Sequence, residues 1–379
     1  MSRNGPPVFS VVAGGGTAGH TVPAIAIGRA IVEAGHLRQE VLFVGSTRGA
    51  EGRLVPEAGF AFIGLGGRGI VRSFAPAKVL QNLVSAAGLF TALVRSWWIL
   101  VTTRPKVVVS VGGYAGLCPA LAAIALRIPL VIADSNAVPG GANRLVARFA
   151  RASATAFPDV ALARAVVTGN PVRPEILAVD RSPPGRAAAR ASLGVEAGRV
   201  LVGVIGGSLG ARRINVAVRG LVELWGDRSD IAIHHAIGRR DWAAYAAAMP
   251  ELSDVGLAYT AVEYEDRMEL VLSAADVLVS RAGGSTCAEL GVTGVPAVVV
   301  PLPGAPGDHQ TANARHLVAA GAAVAIVDAD CTTDALAAAL GPLVADAGRR
   351  EGMAVAALSI GHRDAAQRVA ALVERYARR

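Results

Sequence analysis

Val11-Val12-Ala13-Gly14-Gly15-Gly16-Thr17-Ala18-Gly19-His20-Thr21-Val22-Pro23 is the stretch whose reading decides the fold. The apolar run Val8 to Ala13 predicts a buried parallel strand, the glycines a turn, and Ala24 to Ala34 a helix. Strand, glycine loop and helix N-terminus together form an anion site. Glycines let backbone approach a ligand, and the N–H groups and helix dipole favour negative charge. The pattern returns at Val200 to Ile205, Gly206-Gly207-Ser208-Leu209-Gly210-Ala211 and a helix from about Arg213. Two such units predict two α/β domains, each presenting a phosphate-type site to a shared cleft.

The totals agree with this. A chain of 379 residues, 53% hydrophobic and 17% charged, is long and apolar enough for two globular cores. Basic residues are almost all Arg, the exceptions being Lys78 and Lys106, as a GC-rich coding bias would give. Residues 1–168 carry 16 Lys+Arg against 6 Asp+Glu, and residues 169–379 carry 21 against 23. A basic first half suits a polyanionic partner such as nucleic acid, anionic lipid or a diphosphate; an Arg-rich solvated surface explains it equally well. Cys118, Cys287 and Cys331 lack metal-ligand spacing and fit a reduced compartment. Met1 to Pro7 has no charged segment before an apolar core, so no secretory leader is expected.

In the first half, Glu40–Val44, Phe60–Gly64, Lys106–Val111, Pro129–Ala133 and Ser153–Phe157 read as further strands separated by helices. Short unalternated Val/Ile runs imply a parallel sheet covered on both faces, with ligands at the strands' C-terminal ends. Gly112-Gly113-Tyr114 and Asp134-Ser135-Asn136 should line that edge. Gly169-Asn170-Pro171-Val172-Arg173-Pro174, followed by the Pro/Arg-rich stretch Asp180 to Arg190, reads as the interdomain linker. Beyond it, Val200–Ile205, Ile231–Ala236, Gly256–Tyr259, Asp276–Ser280, Ala297–Pro301 and Ala323–Val327 repeat the α/β pattern. Asp364 to Arg379 predicts an amphipathic terminal helix that crosses to the other domain. Arg68, Arg72 and Lys78 precede an apolar region with Phe90, Trp97 and Trp98. The run Ala86 to Val101 is short for a membrane span and contains Arg95, so it reads as a core helix or as a surface docking on anionic lipid.

Several polar residues can carry chemistry. His20, beside a helix start that disfavours the protonated ring, is a candidate general base; hydrogen bonding within its loop is the plainer role. Asp134 is a second candidate. Ser208 can donate to a phosphate or cap a helix. In Ser280-Arg281-Ala282-Gly283-Gly284-Ser285-Thr286-Cys287-Ala288-Glu289, the carboxylate near exposed amides suits a ribose diol, though it would also stabilise a helix dipole. Asp308-His309-Gln310-Thr311-Ala312-Asn313 suits sugar hydroxyls, or a helix cap by Asp308. Asp328-Ala329-Asp330 matches a D-x-D metal pattern but reads as a solvated loop, as do Glu263, Glu265 and Asp266. No metal dependence is expected.

Six motifs in order resemble the MurG family, the peptidoglycan N-acetylglucosaminyltransferases of bacteria. They are Gly14 to His20 with Pro23, Gly112-Gly113-Tyr114, Gly169-Asn170-Pro171-Val172-Arg173, Gly206 to Ala211, Arg281 to Glu289, and His309-Gln310 with Asn313-Ala314. The resemblance implies a GT-B fold: two Rossmann-like, doubly wound parallel-sheet domains facing a cleft. It implies an N-terminal acceptor (lipid I) and membrane-facing domain over 1–168, a UDP-GlcNAc donor domain over 169–362, and a helix over 363–379 returning to the first. Donor contacts would come from Arg173, Gly207, Ser208, Gly284, Ser285, Glu289, His309 and Gln310. The acceptor and its diphosphate would meet Gly15, Gly16, Thr17, Gly19, His20, Tyr114 and Asn136. His20 and Asp134 would be catalytic, with no cofactor and no metal. The implied activity is inverting transfer of GlcNAc from UDP-GlcNAc to the 4-hydroxyl of MurNAc in lipid I, giving lipid II. The implied partners are anionic lipids of the plasma membrane's inner face, where the enzyme would sit peripherally, and proteins of cell-wall synthesis or division, with no nucleic acid.

Two departures stand out. Ala133-Asp134-Ser135-Asn136 replaces the family's His-Glu-X-Asn, which shifts the base toward His20 and leaves room for another acceptor. Glu265 stands where the family often has an apolar residue near the uracil. Other readings remain: a related GT-B transferase with another acceptor, a UDP-GlcNAc epimerase, and a non-catalytic scaffold of cell-wall assembly.

Overall fold

The computed structural model describes residues 7–16, 18–66, 76–207, 210–249 and 255–379, with side chains for all of these except 18 and 76–87. The expectations for Thr17, Ser208, Arg68 and Arg72, and for the Lys78 side chain, lie outside the described residues. Two compact units divide the chain: Met1–Arg173 with Arg363–Arg379, and Pro174–His362.

The first unit holds seven strands: β1 (Ser10–Gly14), β2 (Val41–Ser46), β3 (Ala61–Leu65), β4 (Val107–Gly112), β5 (Leu130–Asp134), β6 (Ala152–Thr155) and β7 (Ala165–Val167). They form one sheet in the order β3-β2-β1-β4-β5-β6-β7, parallel at every pairing. β2, β4 and β5 are buried along their whole length, which is why their sequences run apolar without alternation. The second unit repeats the design with β8 (Val200–Ile205), β9 (Ile231–Ala236), β10 (Ala258–Val262), β11 (Val277–Ser280), β12 (Ala297–Val299) and β13 (Ala323–Ala325), ordered β10-β9-β8-β11-β12-β13. These pairings are also parallel. In each sheet the strand order reverses beside the first strand, between β1 and β4 and between β8 and β11. At such a switch point the loops diverge and open a crevice for a ligand.

Three expectations need revision. The first helix runs Ala18–Glu33 and so begins before Pro23, placing His20 inside its first turn. Pro23 forfeits the bond to the Gly19 carbonyl and crowds it with its ring, yet the helix passes through it, because tertiary packing buries Ala24, Ile27 and Ile31 beyond. The expected linker is cut short. The units divide between Arg173 and Pro174, within its first part. The Pro/Arg-rich remainder is not linker: Pro183–Ser192 is a helix capped by the Ser182 side chain, with proline in its first turn. Arginines in and just before it hold it to the rest of the second unit. Arg186 and Arg190 pair with Asp276, and Arg181 donates to the carbonyls of Ser273 and Ala275. Third, Glu265 is buried rather than solvated, and bonds His234 at 2.8 Å.

The terminal helix Ala365–Tyr376 belongs to the first unit, where Ala366, Val369, Ala370 and Val373 share a core with Val12, Ile27 and Ile31. Its Glu374 bonds His36 at 2.7 Å. The helix Pro76–Thr103 buries Ala92, Ser96, Ile99 and Leu100. Its opposite face exposes Phe90, Val94, Trp97, Trp98 and Val101, with Phe90 67% and Trp98 54% accessible. Among the described residues no helix is long and apolar enough to cross a membrane.

Candidate active site

In the first unit the predicted acceptor motifs gather at the switch point. β1 delivers Gly15 and Gly16, β4 delivers Gly113 and Tyr114, and Gly14 pairs with Gly112. The approach is close: a Cβ on Gly113 would stand 2.5 Å from the Gly15 carbonyl oxygen. Tyr114 donates its hydroxyl to Ser46 Oγ at 2.9 Å, tying the β4 loop to the end of β2. His20 is half-buried on the same edge, and Gly19 is exposed beside it.

Asp134 ends β5 on that edge but faces inward and is only 6% exposed. It accepts from the Asn136 amide at 3.2 Å, the Gly140 amide at 3.1 Å and Asn143 Nδ2 at 2.9 Å. Asn143 in turn accepts from Ser110 Oγ at 3.1 Å. A carboxylate so engaged shapes the loop that carries Asn136. Asn143, which the sequence did not single out, is the buried link in this chain.

The loop after β8 is closed by the Gly210 amide donating to the Gly207 carbonyl at 2.9 Å. A neutral buried chain lies behind it. Asn215 Nδ2 donates to the Ile237 carbonyl at 3.0 Å, which fixes the amide's orientation. Asn215 Oδ1 is therefore the acceptor for His235 Nε2–H at 3.1 Å, and His235 Nδ1 must accept from Tyr259, also 3.1 Å away. The Tyr245 hydroxyl then donates to Tyr259 at 2.7 Å. Burial, with His234 adjacent, lowers the His235 ring to about 3, so it stays neutral, as this pattern requires. Asn215 also reaches Asp241, which pairs with Arg240, and Arg240 donates to the Gly210 carbonyl at 3.3 Å.

Across the switch point, β11 leads through Gly283 into the helix Gly284–Thr293, which carries Ser285 in its first turn and Glu289 in its second, both half-buried. Arg281 spans to the carbonyls of Val300 and Pro301 and pairs with Asp328 at 2.6 Å. Asp328 also meets Arg213 at 3.2 Å. The D-x-D carboxylate is thus an arginine partner, and among the described residues no cluster has the makings of a metal site. After β12, Gln310 Oε1 accepts from the Leu302 amide at 2.9 Å, turning its NH2 group away from that loop. His309 Nδ1 donates to the Pro306 carbonyl at 2.9 Å, so its Nε2 is the acceptor when the ring is neutral. Asp308, with φ +52°, turns the chain sharply into the helix His309–Ala319, and Asn313 ties that helix to the Ala282 carbonyl at 3.0 Å.

Near Glu265, burial works to raise the carboxyl, but the Arg267 amide and His234 outweigh it and hold it below its usual range. Its side chain is spent on His234 and Arg267.

Two parallel sheets, each with a glycine loop and a helix N-terminus at its switch point, give the two-domain GT-B fold. Residues 10–155 match the N-terminal domain of glycosyltransferase family 28, and residues 201–369 match its C-terminal domain. The chain is 40% identical over 96% of its length, and 96% of the other's, to the UDP-N-acetylglucosamine–N-acetylmuramyl-(pentapeptide) pyrophosphoryl-undecaprenol N-acetylglucosamine transferase of a Nocardioides species. It superposes on Acinetobacter baumannii MurG with a TM-score of 0.74 at 28% identity, covering 98% of this chain and 100% of that one. A UDP-GlcNAc 2-epimerase from Neisseria meningitidis, at TM-score 0.63 and 12% identity over 98% of this chain, shares the fold alone. The chain belongs to the MurG family within glycosyltransferase family 28.

Proposed function

We propose that the chain is the hexosyltransferase that moves GlcNAc from UDP-GlcNAc to lipid I, giving lipid II for peptidoglycan synthesis. The observation that carries this reading is 40% identity along 96% of the chain to a transferase of that name. The family 28 domain matches, over residues 10–155 and 201–369, include the glycine loops at both switch points.

On this reading Pro174–His362 holds the donor, and the first unit receives the acceptor. Glu289 takes the ribose diol, while the amides at Gly207, Gly284 and Ser285 take the diphosphate, as helix N-termini take anions. Arg173 and Ser208 add donors to the same phosphates. Gln310, its NH2 turned away from the Leu302 amide, donates to the sugar, and His309 Nε2 accepts from it. In the first unit, Gly15, Gly16, Thr17, Gly19, Tyr114 and Asn136 line the acceptor's path. His20 removes the proton as the 4-hydroxyl attacks the anomeric carbon and inverts it. The leaving UDP is stabilised by backbone amides and needs no metal. Asp134 supports the Asn136 loop, and its three hydrogen bonds argue against its serving as the base. The stripe of Phe90, Val94, Trp97, Trp98 and Val101 docks the enzyme peripherally on the anionic inner face of the plasma membrane, where the acceptor resides.

The test is UDP release from UDP-GlcNAc with and without a water-soluble lipid I analogue, in the presence of a chelator. Acceptor-dependent, chelator-resistant release is expected. Release without acceptor dependence would point to a different acceptor, and interconversion of the free nucleotide sugar to an epimerase.

A further inference from the structure

Glu51 opens the short helix Glu51–Glu57, far in sequence from every motif above, yet it is only 2% exposed. Among the described residues its partners are backbone amides and a hydroxyl rather than a cation. Oε1 accepts from the Gly16 amide at 2.9 Å and from the Ser46 amide at 2.7 Å. Oε2 lies 3.1 Å from the Gly16 amide and accepts from Thr21 Oγ1 at 3.4 Å. The surrounding chain leaves room for nothing else: a Cβ on Gly15 or Gly49 would fall 2.2 or 2.1 Å from a carboxylate oxygen.

Gly16 and Thr21 bracket Gly19 and His20, so one carboxylate grips the chain on both sides of His20. Through Ser46 it also connects to Tyr114, whose hydroxyl donates to Ser46 Oγ. Three pieces of the acceptor edge therefore converge on a side chain almost closed to solvent. This also removes a phosphate donor: the Gly16 N–H already serves Glu51, and the charge behind it repels an anion. A diphosphate must then sit on the helix side, over the amides at the start of Ala18–Glu33.

We propose that Glu51 is a positioning residue that fixes His20 and directs the acceptor's diphosphate to the helix N-terminus and away from Gly16. This rests on the reading that the first unit receives lipid I. The charge supplies two things a neutral residue cannot: strong acceptance from two backbone amides at once, and repulsion that confines the phosphates to one side.

The experiment compares Glu51→Ala and Glu51→Gln with the natural enzyme, varying UDP-GlcNAc and a soluble lipid I analogue separately. For Glu51→Ala, kcat/KM for the acceptor should fall by about a hundredfold, the scale of a misplaced reacting group, while the donor KM stays within about twofold. Glu51→Gln keeps one acceptor oxygen and should recover about tenfold of that loss. Hydrogen exchange should quicken over residues 15–21 and at Ser46 in Glu51→Ala and stay unchanged in Pro174–His362. Unchanged acceptor parameters in Glu51→Ala would overturn the proposal, as would an equal rise in both KM values. Unfolding of both variants would also overturn it, because the carboxylate would then be only structural. If the natural enzyme lacks acceptor-dependent turnover, the functional reading fails instead. The exchange measurement then still decides whether Glu51 holds the loop.

Discussion

In the first unit the glycine loop rests on a buried carboxylate held by backbone amides; in the second it rests on a neutral chain of Asn215, His235, Tyr259 and Tyr245, and on the buried carboxylate of Asp241, which Arg240 pairs with. The contrast does not follow the charge totals. The half with 16 Lys+Arg against 6 Asp+Glu places a carboxylate under its loop, whereas the half with 21 against 23 places an arginine–aspartate pair beside its own. Net charge therefore says little about the sign at a site. What matters is which groups the topology brings to the switch point. The first unit's loop is shaped by a carboxylate held on backbone amides, and the second unit's by side-chain dipoles and the Asp241–Arg240 pair.

The largest effect expected is at His20. His20→Ala should lower kcat by roughly a hundredfold to ten-thousandfold while donor binding, followed by calorimetry, stays intact. Full activity would return the base to Asp134 and erase the functional side of the contrast. Next comes Glu289→Ala, which should raise the donor KM roughly tenfold to a hundredfold through loss of charged hydrogen bonds, with the acceptor KM unmoved. An acceptor effect of similar size would mean that the two units do not divide the substrates.

Asp134→Ala strands the Asn143, Gly140 and Asn136 donors and should cost about 1–3 kcal/mol of stability by denaturant titration. Its effect on kcat should be smaller than that of His20→Ala. The neutral chain also has a pH signature. The folded His235 ring is held near 3 against 6.5 in the unfolded chain, so unfolding takes up a proton below 6.5. Stability is full above that pH and falls as the solution is acidified toward 3, at no more than about 1.4 kcal/mol per pH unit. Thermal melts from pH 7 to pH 5 should show this slope, and His235→Asn should flatten it. The smallest effect on chemistry belongs to Trp97→Glu with Trp98→Glu. Cosedimentation with anionic vesicles should weaken by about tenfold, while turnover of a soluble acceptor is unchanged.

Much of the architecture was legible because parallel strands buried on both faces spell themselves as Val/Ile runs. β8 and β9 match the expected Val200–Ile205 and Ile231–Ala236 to the residue. β7, three residues long and largely exposed at the sheet's edge, carries no such signal and was missed. The start of the first helix was hidden by Gly19 and Pro23, which weigh against helix locally but are overruled by packing. The Arg-rich helix Pro183–Ser192 looked like a linker because its stabilising partner, Asp276, lies about ninety residues on. The loop supports were illegible for the same reason. Glu51 and Gly16 are 35 residues apart, Asn215 and His235 are 20 apart, and nothing local marks either pair. The one available hint was an acidic side chain set among Gly45, Gly49 and Gly52, where small residues make room for something large.

The terminal helix has a consequence for how the molecule is made. Ala366, Val369, Ala370 and Val373 complete the core of the first unit, yet they leave the ribosome only after all of Pro174–His362. At 5–20 residues per second the nascent first unit waits roughly ten to forty seconds with an apolar seam uncovered. During that interval the seam is open to chaperones, and a ribosome that stalls late in the second unit would release a chain whose first sheet is complete but unsealed.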